Sequence, residues 1–117
     1  MFCHRLVVFS LLIAAGNASI SSGAAVPAAD LEKIRSAASF AAPAKPKKPR
    51  NVLIFSRADG YIHEAIPWGA AALQILGEKT GAYLATLSDD PAMFDREPLS
   101  RFDVVVFNNN CGNPVAD

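Results

Sequence analysis

The chain has 117 residues, two cysteines and a formal net charge of zero at pH 7. That length allows one domain at most. The zero hides a split: from Asn51 onward there are four basic and nine acidic side chains, a net of −5. An acidic body argues against a nucleic-acid partner.

Met1–Arg5 ends in a basic residue, Leu6–Ala15 is apolar apart from Ser10, and Gly16–Ala25 is small and polar. This is the three-part layout of a secretory signal peptide, assigned to 1–25 with cleavage after Ala24 or Ala25. The apolar run is too short for a membrane span, which takes about 20 residues. The chain is therefore expected to be exported, periplasmic or extracellular, with no span in the mature form. Cys3 leaves with the leader, and Cys111 alone makes no internal disulfide.

Residues 26–50 read as a short helix and a linker. Asp30–Phe40 carries Leu31, Ile34 and Ala38 at helical spacing, with Asp30 as N-cap. Helices of that length are marginal alone, so a frayed or loosely docked element is expected. Lys45, Lys47, Lys48 and Arg50 alternate with Pro43, Pro46 and Pro49. The run suits an anionic surface or, in the reading favoured here, a solvated and extended spacer.

Val52–Phe55 (VLIF) is apolar on both faces, as a parallel strand covered on two sides requires. A polar loop, Ser56–Glu64, follows it. Pro67 fits the first turn of a helix, with Gly69, Ala72, Leu73 and Leu76 as the stripe facing the sheet and Gly69 permitting close approach. Lys79 suits the negative end of that helix and Gly81 its C′ position. Tyr83–Leu87 is the second strand. Asp90 caps a turn that begins at Pro91, Glu97–Phe102 is a second helical piece, and Val104–Phe107 (VVVF) is a third buried strand. The order β-α-β-α-β predicts an α/β parallel sheet with right-handed crossovers. Both VLIF and VVVF want cover on two faces, and the visible helices scarcely supply it in a chain this small. Residues 51–117 are accordingly expected to be the amino-terminal part of a larger domain.

Ligands of open α/β sheets bind at the carboxyl ends of the strands. His63, on the loop there, is the leading catalytic candidate, an acid/base near neutral pH; the alternative is a histidine that caps the adjacent helix. Glu64 is a candidate to orient it. Asp59 and Arg57 read as a surface pair. Ser56, Tyr61, Asn108 and Asn109 are the substrate-binding candidates, because amides both donate to and accept from hydroxyls. Asn110 reads as a turn residue, and Cys111, with no Gly-x-Cys-x-Gly elbow around it, as a bystander thiol. One histidine in the mature chain is too few for a zinc cage, and ADGYIHEAIPWG is no phosphate loop. No metal and no cofactor are expected.

The VLIFSRADGYIHEAIPWGAAALQILGEKTG block, the DDPAMF turn and the SRFDVVVFNNNCG segment together resemble the ThuA-like (trehalose utilisation) family, of the class I glutamine amidotransferase-like superfamily. Gly60, Tyr61, His63 and Ile66 match its first block, whereas Ile62 stands where the family has arginine. The resemblance covers about 51–117. It implies a flavodoxin-like doubly wound parallel sheet, incomplete here, in strand order 2-1-3. It also implies a role in using trehalose or a related disaccharide, with acid/base chemistry on a sugar-derived substrate. The alternatives are a non-catalytic carbohydrate-binding or scaffolding module, or an inactive truncated product.

Overall fold

The computed structural model describes residues 25–115; the leader expected at 1–25, Cys3 included, lies outside them but for Ala25. Three parallel strands form one open sheet: β1 (Asn51–Phe55), β2 (Leu84–Ser88) and β3 (Val104–Phe107), in the order β2-β1-β3. Helix α1 (Ala28–Ala37) precedes the sheet, α2 (Ala65–Thr80) crosses from β1 to β2, and a 3-10 turn (Pro91–Phe94) with the short α3 (Arg96–Leu99) crosses from β2 to β3. The fold is α/β, three strands of a flavodoxin-like sheet. Val52 lies beside Ala85 and Val104, and Ile54 beside Leu87 and Val106.

Strand β1 is central, and Val52 to Phe55 are all buried. Val52 and Ile54 face α2 and pack with Ala70, Leu73, Tyr83, Ala85, Leu87 and Val106. Leu53 and Phe55 face the other way. There Phe55 meets Phe94 edge-on at 4.8 Å and Phe107 edge-on at 6.1 Å, while Phe94 and Phe107 stack at 5.7 Å. The second face is therefore covered by the 3-10 turn rather than by a long helix. β3 differs from expectation. As an edge strand with one neighbour it is half open, with Val104 50% and Phe107 54% exposed.

Helix α2 also departs in detail. Its buried residues are Ile66, Ala70, Ile75 and Gly77, so the packed stripe runs Ile66–Ala70–Leu73–Gly77 rather than through Ala72 and Leu76. The close backbone approach to β2 is at Gly77, where a methyl group would sit 2.6 Å from the Tyr83 ring. Tyr83 donates from its hydroxyl to Leu73 O at 2.5 Å, pinning that ring against the helix. Gly81 ends the helix with φ 62°, the left-handed conformation expected of it.

Helix α1 begins two residues before Asp30, with Pro27 at the N-cap; Asp30 lies in its first turn and pairs with Lys33 at 2.8 Å. A carboxylate there still complements the positive helix end. No residue of α1 is buried, consistent with loose docking. Part of its attachment is polar. Lys79 donates to the terminal carbonyls Arg35 O and Ala38 O, and Arg35 lies 3.7 Å from Glu78. Lys79 thus serves the carboxyl end of α1 rather than that of its own helix. Among the described residues no helix is long and apolar enough to cross a membrane.

Asp103 ties the strand starts together. It accepts from Asn51 N–H at 3.0 Å, Lys48 at 3.1 Å and Arg50 at 3.2 Å. Those contacts, the Asn51 N–H first, hold its carboxyl at about 2, below the ordinary value of 3.8. A depressed carboxylate stabilises the fold above its unfolded pKa, about 4, and that contribution disappears as pH falls toward the folded value. Stability against pH is expected to fall from about pH 4 to about pH 2 more steeply in the parent than in Asp103→Asn. Superimposable acid limbs would show that this contact contributes nothing.

Candidate functional site

The carboxyl ends of β1 and β3 continue as two loops that run side by side. Ala58 bridges to Cys111, and Asp59 N–H donates to Cys111 O at 3.0 Å. The approach depends on Gly112, at φ 75°, where a methyl group would lie 2.6 Å from Asp59 O. Arg57 and Asp59 form the expected ion pair, at 3.1 Å. Asn110 donates to Arg57 O at 2.8 Å and fastens the two loops together. Among the described residues the left-handed non-glycine residue is Asn109, φ 54°, rather than Asn110.

Under these loops lies a buried polar clamp. The Asn108 amide donates to Ser56 Oγ at 3.0 Å and to Ile66 O at 2.9 Å, and both side chains are buried. Asn109 donates to Asn108 Oδ1 at 3.3 Å. Gly69 makes room for the amide: a methyl group there would sit 2.4 Å from Asn108 Oδ1. The clamp joins the ends of β1 and β3 to the first turn of α2. Ser56 and Asn108 were expected to face a substrate, but both Asn108 amide hydrogens are used inside the protein and its oxygen already accepts from Asn109.

His63 and Tyr61 lie outside this clamp. His63 Nδ1 accepts Ala65 N–H at 3.0 Å, and His63 O accepts Ile66 N–H at 3.1 Å. Both bonds satisfy amides at the start of α2, which otherwise lack partners. Accepting at Nδ1 requires a lone pair there, so the neutral ring carries its proton on Nε2. Tyr61 is 70% exposed and meets the His63 ring edge-on, centroids 6.0 Å apart at 87°. Glu64 sits at the N-cap, makes no side-chain capping bond and makes no hydrogen bond to His63. It is solvent-facing and does not orient the imidazole.

Trp68 was missed by sequence reasoning. It is exposed one turn along α2, as is Ile62 beside His63. The signal was present: a tryptophan at a helix start, off the stripe of Ile66, Ala70 and Leu73. Among the described residues no three His, Cys, Asp or Glu side chains converge to hold a metal. Cys111 is a free, exposed thiol whose backbone takes part in the loop bridge. A groove of about 930 Å³ lies at the other end of the sheet and includes none of these residues. The carboxyl edge remains the better candidate for chemistry, because its polar groups converge there, whereas volume alone says only that something fits.

Comparison with protein families, with curated proteins and with solved structures found no match to this chain.

Proposed function

We propose that the chain is an exported, ThuA-like domain that holds a sugar-derived small molecule at the carboxyl edge of the sheet, in trehalose or related disaccharide utilisation. One observation carries this reading: the exposed Tyr61–His63 ring pair stands at the carboxyl end of β1 on a loop fixed from beneath. An exposed aromatic face covers the apolar face of a sugar ring, and His63 Nε2–H beside it donates to a hydroxyl. While Nδ1 accepts the Ala65 amide the ring can only donate a hydrogen bond from Nε2–H, so the catalytic form of the proposal requires His63 to release that amide before it takes up or gives a proton. Ser56 and Asn108 act by shaping the loop, and Asn109 stands at its exposed turn.

A non-catalytic carbohydrate-binding role is the second reading. It is favoured because no carboxylate among the described residues is hydrogen-bonded to His63, whereas acid/base catalysis on a glycosidic bond ordinarily uses two groups.

Calorimetric titration with trehalose, alongside an assay for its turnover, separates the two. The catalytic reading expects His63→Ala to abolish turnover and His63→Gln to retain binding. Binding without turnover in the parent supports the module. A folded parent that binds neither trehalose nor a related disaccharide overturns both.

A further inference from the structure

The groove at the amino-terminal edge of the sheet runs between the proline-lysine segment and the carboxyl half of α2, and reaches the start of β2. The segment expected to be a solvated spacer forms one of its walls. Its volume of about 930 Å³ is within the range of small-molecule sites.

The lining combines exposed apolar side chains with cations. Phe40 is 82% exposed and Leu84 65% exposed, with Tyr83 between the helix and the strand. Phe40 is held in place by the Lys79 ammonium, 3.7 Å from its ring centre. Four cations and a single carboxylate, Glu78, line the groove. Glu78 is already engaged by Gln74 and Arg35. Lys48 and Arg50 are engaged by Asp103. Lys45 and Lys47 have no hydrogen-bond or ion-pair partner among the described residues, and both are exposed. The carbonyls at the end of α2 disfavour an anion beside them. Two of these are already met, Leu76 O by Thr80 Oγ1 and Gly77 O by Gly81 N–H. The uncompensated positive charge therefore sits on the linker, in a groove that also carries exposed hydrocarbon.

We propose that this groove binds an amphiphilic carboxylate of the fatty-acid class, its head group on Lys45 and Lys47 and its chain along Phe40, Tyr83 and Leu84. This site is separate from the carboxyl edge and does not depend on the function proposed there. The charge asymmetry selects an anion, and the apolar wall selects one with a tail.

Isothermal titration of the full chain with sodium dodecanoate, kept below its aggregation concentration, tests the site. Saturable one-to-one binding is expected, at least about tenfold tighter than for butanoate or for dodecyltrimethylammonium. The double variant Lys45→Gln/Lys47→Gln is expected to weaken it at least about tenfold, and added salt to weaken it further. Both lysines are exposed, so circular dichroism of the variant should match the parent. Equal binding of dodecyltrimethylammonium overturns the proposal. So does affinity unchanged in the double variant, or hexaglutamate binding without dodecanoate binding, which would make this a peptide surface. Absence of saturable dodecanoate binding to the folded parent also overturns it.

Discussion

Asn108→Ala is expected to lower stability by about 2–3 kcal/mol, although the residue contributes no apolar surface to the core. Its amide makes two buried hydrogen bonds, to Ser56 Oγ and Ile66 O. Alanine leaves both acceptors without that donor and cannot admit bulk water to replace it. Ile66 O is partly protected because it also lies in the helix ladder, which limits the loss. For a domain of this size such a change lowers the melting temperature by roughly 10–20 °C. Asn108→Asp keeps the shape yet turns a donor toward Ile66 O into an acceptor, so it should be no milder than alanine. Urea denaturation followed by circular dichroism measures all three proteins. A loss below about 0.5 kcal/mol for alanine would mean that the amide does not hold the loops to α2.

Phe55→Ala should cost more, about 3–5 kcal/mol. Phe55 is fully buried, and its ring meets Phe94 and Phe107 on the face of the sheet away from α2. The 3-10 turn covers that face with few large side chains, so little is at hand to fill the space. Domains of this size have only several kcal/mol to lose, and Phe55→Ala is expected to be largely unfolded at 37 °C. Phe107→Ala removes a ring already half in solvent and should cost less than half as much. The same denaturation series decides this: equal losses at the two positions would place the aromatic cluster outside the stabilising core.

Much of the fold is legible in local pattern. VLIF, GAAALQIL and VVVF have the lengths and apolar content of strand, helix and strand, and Pro67 and Gly81 mark the ends of α2. Asp90 caps the turn at Pro91 as expected, accepting Ala92 N–H at 2.9 Å. Burial of VVVF is not legible, because a strand's composition does not say whether it has one neighbour or two. The stripe on α2 is equally ambiguous: Gly, Ala and Leu fill every side of that helix, and only docking on β1 selects Ile66, Ala70 and Leu73. Nor does lysine spacing reveal that Lys48 and Arg50 end on Asp103, more than fifty residues away.

The same division runs through the candidate site. His63 could be singled out from sequence because a lone histidine after a strand is chemically conspicuous, and a helix-capping role was the alternative weighed for it. Asn108 was conspicuous too, but its partners were not. The sequence by itself determined the elements, their order and the polar character of the loops at the strand ends, since these follow from side-chain periodicity and backbone preference along the chain. Only the tertiary structure decided that Asn108 is buried against Ser56 and α2 while Tyr61 and His63 remain outside, and that the lysine segment walls a groove. Those outcomes depend on which distant residues meet, and no local pattern encodes that.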